Sequence, residues 1–238
     1  MDPDGARHVV VVAAGDVPAR ATLDAAWPGW AAGIGDVIAA DGGLANADAL
    51  GLAATCIVGD LDSVDAARLD AAGDGLRVVR VAAAKDESDT ELAILEAVRL
   101  GATRITVLGA LGGTRLDHAL ANVWLLALPA LDSIPVTLLD DRARVSLLTA
   151  PGHDGSPVRH RLDGPTGATV TLLPFGGDAI GVTTSGLRYP LRDEPLLTGP
   201  ARGLSNVLAG PDAAVALRRG RLLIVEAPRA DGGLSSEP

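Results

Sequence analysis

From residue 8 to residue 128, short β-branched runs alternate with amphipathic stretches, and this alternation restricts the fold more than any other feature of the chain. HVVVVAA (8–14), DVIAA (36–40), CIVG (56–59), LRVVRVA (76–82) and RITVLGA (104–110) read as strands. Between them, VDAARLDAA and DTELAILEAVRL carry apolar residues at helical spacing. The second opens with a capping box, Ser88 at the N-cap and Glu91 three residues on. A further helix is predicted after Arg115, where Leu116, Ala119, Leu120, Val123 and Ala127 recur on one face. Strands alternating with helices imply an α/β unit with a mostly parallel sheet and flanking helices.

After LPALDSIP the pattern changes. VTLLD (136–140), RVSLLTA (144–150), ATVTLLP (168–174), AIGVTT (179–184), GLSNVL (203–208), AAVAL (213–217) and RLLIVEA (221–227) are short strands split by Gly/Pro turns, without a helical pattern among them. They predict a C-terminal antiparallel β-sandwich. The change falls within residues 129–145 and divides the chain into an α/β domain over 1–135, a sandwich over 136–228 and a polar, disordered tail over 229–238.

Composition removes several classes of function. With 30 acidic and 20 basic residues the net charge is −10, which argues against a nucleic-acid or anionic-membrane surface. VVVVAA (9–14) is too short to span a bilayer, and MDPDGARH lacks the basic region of a secretory signal. Cys56 is the only cysteine and forms no intrachain disulfide, which suits a reducing cytoplasm.

Polar clusters follow the strands of the first half. Asp41 follows the second, in DGG. Asp60, Asp62 and Ser63 follow the third, in DLDS. Lys85, Asp86, Glu87, Ser88 and Asp89 follow the fourth. Gly112, Gly113, Arg115, Asp117 and His118 follow the fifth. In a parallel sheet the carboxyl ends of all strands share one edge, so these clusters converge. Taken singly, a turn accounts for Asp41, capping for Ser88 and Asp89, a strand-to-helix turn for LGG, and a helix surface for His118. DLDS is harder to explain away, because crowded carboxylates repel unless a cation stands between them. In an extended segment Asp60 and Asp62 share a side and Leu61 points away from them. Several carboxylates with little His or Cys suit a hard cation, Mg²⁺ above all. Glycine backbone and Arg115 at a helix start suit an anion, and Lys85, the only lysine in the chain, falls in the same crevice. Neither a G-x-x-x-x-G-K-[ST] loop nor a G-x-G-x-x-G after the first strand is present. The clusters together read as a magnesium–nucleoside polyphosphate site.

From about residue 8 to residue 227 the chain resembles the thiamine pyrophosphokinase family. ADGG (40–43) resembles the family's first acidic turn and GDLDS (59–63) its G-D-[FL]-D-S signature. KDESDTELA (85–93) is similar to the [QK]-D-x-[ST]-D helix start, and GGTRLDHALAN (112–122) to the G-G-R-x-D-H-x-x-x-N element. SGLRYPL (185–191) and GLSN (203–206) resemble its thiamine-side motifs. Thr114 lengthens the glycine loop by one residue, Leu61 and Ser88 stand where Phe and Thr are commoner, and Tyr189 stands where some members carry Trp.

The resemblance implies a nucleotide-binding first domain and a thiamine-binding sandwich, in a homodimer. It also implies transfer of the diphosphate of ATP to the thiamine hydroxyl. By the same resemblance Asp60, Asp62 and Asp89 hold Mg²⁺ or the hydroxyl end of thiamine, with Asp86 supporting that cluster. Lys85 and Arg115 neutralise the transferred group, Asp41, Gly42, Gly43, Gly112 and Gly113 lie against the nucleotide, and Asp117 and His118 shape the far wall. Ser205, Asn206 and Tyr189 meet the thiamine rings from the neighbouring subunit. Two other readings remain at this stage. A pyrophosphokinase for another heterocyclic alcohol, such as a pterin, would keep the first half and change the second. A non-catalytic thiamine or nucleotide sensor would lose a metal-binding Asp or the arginine.

Overall fold

The computed structural model describes residues 6–62, 64, 75–82, 84–151 and 156–228. Ser63, all but Val64 of the expected VDAARLDAA helix, and the tail at 229–238 lie outside them. The chain divides into two compact units, Met1–Asp141 and Arg142–Pro238.

In the first unit β1 (His8–Val12), β2 (Ile34–Ala40), β3 (Cys56–Gly59), β4 (Arg77–Arg80), β5 (Arg104–Leu108) and β6 (Val136–Leu139) lie in the order β6-β5-β1-β2-β3-β4. All the pairings are parallel. Val9 to Val12 are fully buried, as a central strand covered on both faces requires. Val136–Leu139, which the sequence pattern assigns to the second half, pairs Ile105 with Val136 and Leu108 with Leu139. A four-residue apolar run has too little alternation to tell a parallel core strand from a sandwich strand.

Four α-helices occur among the described residues: α1 (Arg20–Ala26), α2 (Gly43–Ala49), α3 (Asp89–Arg99) and α4 (Leu116–Leu125). The first two are only seven residues each, too short for a periodic signal. α3 begins where its cap predicts, with the Ser88 hydroxyl accepting from the Glu91 N–H at 3.1 Å. It buries Ala93, Ile94 and Ala97 and packs over β1, β2 and β3. Its Glu96 is also buried and accepts hydrogen bonds from Arg77 of β4 and from Arg99, which fastens the edge strand to the helix. None of the described helices is long and apolar enough to cross a membrane.

α4 departs from its amphipathic reading. The helix is present, but none of its residues is buried; Leu116, Leu120 and Trp124 are 71%, 49% and 61% exposed. The apolar face at i, i+4 and i+8 is real, yet these three side chains stay exposed while Ala119 and Val123 beside them are half-buried.

The strand order places the site. The chain steps from β1 through β2 and β3 to β4 on one side, then crosses so that β5 and β6 lie on the other side of β1. The connections leaving β1 and β5 therefore run to opposite sides of the sheet, and a parallel sheet opens a crevice at such a switch point.

The second unit contains two antiparallel four-stranded sheets. β7 (Arg144–Ala150), β14 (Gly220–Glu226), β9 (Thr169–Pro174) and β12 (Asn206–Val207) form one, in the order β12-β9-β14-β7. β8 (Val158–Arg161), β13 (Ala214–Leu217), β10 (Ala179–Ser185) and β11 (Glu194–Leu196) form the other. Leu148, Val170, Leu172 and Leu222 of the first sheet meet Val182, Leu196, Val215 and Leu217 of the second in one core, so the unit is a sandwich. The fold is thus α/β with a mostly parallel N-terminal sheet, followed by an antiparallel sandwich.

Candidate active site

A cleft of about 900 Å³ opens at the β1/β5 switch point of the first unit. The loops after β1 and β5 meet there almost backbone to backbone. The Gly15 N–H donates to the Gly109 carbonyl at 3.1 Å, and a Cβ on Gly112 would stand 2.6 Å from the Asp16 carbonyl oxygen. Two asparagine side chains hold these loops. Asn46 of α2 donates to the carbonyls of Ala13 at 2.8 Å and Gly15 at 2.7 Å, and Asn122 of α4 donates to that of Ala110 at 2.9 Å.

Most of the residues singled out from the sequence line this cleft. They are Asp41, Asp60, Lys85 and Asp89 from one side, with Gly112, Gly113, Arg115, Asp117 and His118 from the other. Gly42, Gly43, Asp62 and Asp86 do not line it. Gly43 is buried under β1, while Asp62 and Asp86 face solvent. The cleft also includes Asp16, which follows β1 in AAGD. The rule that gathered the other clusters applies equally to the end of the first strand and would have found it.

The DLDS segment is not extended, contrary to its sequence reading. Leu61 has φ +66° and is buried, and the Asp62 N–H turns back to donate to Asp60 Oδ1 at 3.1 Å. The two carboxylates therefore do not share a side. An Asx-type turn satisfies one Asp60 oxygen from the backbone and sends the Asp62 side chain outward.

The two cations of the cleft are each held by a carboxylate. Lys85 is ion-paired to Asp89 one helical turn on. The Arg115 guanidinium donates to both oxygens of Asp117, at 2.9 and 2.6 Å, and that bidentate contact holds the Asp117 carboxyl well below the usual carboxylate range. Arg115, at the N-cap of α4 after Thr114, thus turns its guanidinium to the first turn of that helix.

Among the described residues no group of three or more His, Cys, Asp or Glu side chains stands together as a metal-binding cluster. The chemistry of the donors nonetheless fits a hard divalent cation. The acidic groups of the cleft, Asp16, Asp41, Asp60, Glu87, Asp89 and Asp117, are oxygen donors throughout, with one histidine at the edge. Glycine backbone and two cations in the same cleft suit a polyanion.

The second unit has its own recess, of about 390 Å³, lined by Tyr189 and Asn206 together with Arg188, Arg202, Leu204 and neighbouring residues. Ser205 does not line it; the residue sits at φ +55° and its N–H donates to Thr171 Oγ1 at 3.0 Å. Arg202 is ion-paired to Glu194.

Known proteins match on the same two blocks. Residues 35–138 match the family model of the thiamin pyrophosphokinase catalytic domain, and residues 158–222 that of the thiamin pyrophosphokinase vitamin B1 binding domain. The thiamine pyrophosphokinase of Bacillus subtilis is 26% identical over 170 residues, covering 70% of this chain and 75% of its own. Thiamine pyrophosphokinase 1 of Oryza sativa is 32% identical over 104 residues, 44% of this chain and 37% of that protein. A solved structure of the Bacillus subtilis enzyme superposes with a TM-score of 0.76 at 22% identity, over 93% of this chain and 99% of that one. Since both matched blocks occur in the family's order and on its fold, the chain belongs to the thiamine pyrophosphokinase family.

Proposed function

We propose that the protein transfers the diphosphate of ATP to the hydroxyl of thiamine, with Mg²⁺, giving thiamine diphosphate and AMP. The observation that carries this reading is the single cleft at the β1/β5 switch point, where acidic oxygen donors, glycine backbone, Lys85 and Arg115 meet. In the reaction the thiamine hydroxyl oxygen bonds to the β-phosphorus of ATP, the bond from that phosphorus to the α,β-bridging oxygen breaks, AMP leaves, and the hydroxyl proton is lost. Such transfer is chiefly a matter of positioning and charge neutralisation.

Asp60 and Asp89 are the residues that would hold Mg²⁺, which when bound neutralises polyphosphate charge. Lys85 and Arg115 stabilise negative charge on the transferred group and the departing AMP. Asp41, Gly112 and Gly113 lie against the nucleotide, with Asp117 and His118 on the opposite wall. Asp62 and Asp86 act from outside the cleft, Asp62 through the turn that orients Asp60. Tyr189, in the recess of the second unit, is the surface for the thiamine rings.

The reading includes a cytoplasmic homodimer. A lone, buried Cys56 supports the reducing compartment. The Leu116, Leu120 and Trp124 stripe supports a second copy, because contiguous apolar surface of this kind marks interaction sites.

The test is to incubate the purified protein with ATP, Mg²⁺ and thiamine and to quantify AMP and thiamine diphosphate, with Asp60→Asn in parallel. Equal amounts of the two products, lost in the variant, are expected. ATP binding without thiamine-dependent AMP would overturn the thiamine assignment.

A further inference from the structure

We infer that Asn206 is a positioning residue, which holds the Tyr189 ring in place for the acceptor instead of touching the acceptor itself. This rests on the thiamine reading only for the identity of the ligand. The segment ending in Tyr189 lies against β12, with Leu187 bridged to Leu208 and the Arg188 N–H donating to the Val207 carbonyl at 2.9 Å. One residue further the ladder no longer continues through the backbone. The Tyr189 N–H donates instead to Asn206 Oδ1 at 3.0 Å, and Asn206 Nδ2 donates back to the Tyr189 carbonyl at 2.7 Å.

The side-chain amide thus stands in for a peptide group, offering an acceptor and a donor to the same residue. Oδ1 also accepts from the Val207 N–H at 2.9 Å, which fixes the amide plane. With Asn206 only 8% exposed, Oδ1 takes two backbone N–H groups and Nδ2 gives one of its two hydrogens to Tyr189, so both ends of the amide are engaged there. Aspartate cannot donate, serine cannot span both groups, and glutamine sets the amide one methylene too far away.

The result is an exposed ring on a fixed backbone. Tyr189 is 60% exposed, and the Arg188 guanidinium lies over it, 5.6 Å from the ring centroid. Asn206 holds the backbone on both sides of the Tyr189 Cα, and Arg188 restrains the ring.

Tyr189 is the only tyrosine in the chain, so 3-fluorotyrosine gives a single ¹⁹F resonance that reports this ring alone. The experiment compares the wild-type protein with Asn206→Asp, which keeps the acceptors and removes the donor. In the absence of thiamine the resonance of the folded variant is expected to shift and broaden at a temperature well below its melting transition. The KM for thiamine is expected to rise about tenfold, the loss of one hydrogen bond, with kcat and the KM for ATP within about twofold. Should Asn206→Asp fail to fold, Asn206→Gln takes its place with the same expectation. A folded variant whose resonance and thiamine KM both match the wild type would overturn the inference. If the wild-type resonance does not respond to thiamine, the thiamine reading fails, while the spectra without ligand still decide whether Asn206 sets the ring.

Discussion

Gly43 offers the sharpest test of how the acidic turn is built, because two physical effects there oppose each other. It is the first residue of α2, where alanine would favour the helix by at most about 1 kcal/mol. A Cβ at that position, however, would lie 1.9 Å from the Val12 carbonyl oxygen and 2.8 Å from its carbon. Real Cβ atoms essentially never come closer than 3.0 Å, so α2 and β1 must part by roughly an ångström, and neither contact is a side chain that can rotate away. Overpacking of this kind costs about 3 kcal/mol. The clash outweighs the propensity, and Gly43→Ala is expected to lose about 2 kcal/mol net. All three tryptophans, Trp27, Trp30 and Trp124, lie in the first unit, so their fluorescence in urea follows that unit alone. With a slope of roughly 2 kcal/mol/M the midpoint should fall by about 1 M. Gly35→Ala is the control, since its Cβ would find nothing closer than 3.7 Å, and it should stay within about 0.5 kcal/mol of wild type. Thiamine diphosphate formation should fall in Gly43→Ala even where the unit is folded, because Asp41 and the Ala13–Asp16 loop flank the two elements that move apart. A midpoint equal to or above that of wild type would refute the reasoning and mean that helix propensity prevails over the close approach.

Other substitutions separate the roles of charge and surface. Arg115→Ala should lower kcat about 10²- to 10³-fold, by analogy with loss of a group that stabilises developing charge, and leave the urea midpoint unchanged because the side chain is 66% exposed. Hydrogen bonds donated by Arg99 and Arg77 keep Glu96 deprotonated below the usual carboxylate range. Stability from that group is therefore present above the unfolded value near 4.5 and lost as pH falls through the lower folded value. Glu96→Gln should thus flatten the drop in the first unit's urea midpoint between neutral and acidic pH, and an unchanged slope would dismiss the linkage. Leu120→Glu, on the exposed face of α4, should leave the monomer's stability within about 0.5 kcal/mol and lower the sedimentation coefficient; an unchanged coefficient would remove the stripe from any dimer contact.

What the sequence made legible follows from periodicity and from the geometry of strand ends. The alternation of strands and helices was enough to call for a parallel sheet, and a parallel sheet is enough to bring Asp41, Asp60, Lys85 and Arg115 to one edge. Two kinds of information lay outside that reasoning. One is which neighbour an apolar face meets. The face of α4 is as regular as that of α3, but α3 lies over β1, β2 and β3 and buries its apolar residues, whereas α4 touches α3 and leaves Leu116, Leu120 and Trp124 exposed. The other is where a polar side chain within a motif points. Asp62 and Asn206 both stand in motifs that resemble the family's, and the sequence placed both at a ligand. In the structure Asp62 completes a turn through its N–H, and Asn206 spends its amide on the backbone of Tyr189. A motif records that a residue type is needed at a position, and an amide needed to fix a backbone gives the same letter as one needed to bind a substrate. What separates them is where the local hydrogen bonds go, which depends on backbone groups 17 residues away for Asn206 and on the turn at left-handed Leu61 for Asp62. Neither has a signal in local pattern, so the sequence indicated where the polar groups gather, and the structure shows which way each of them turns.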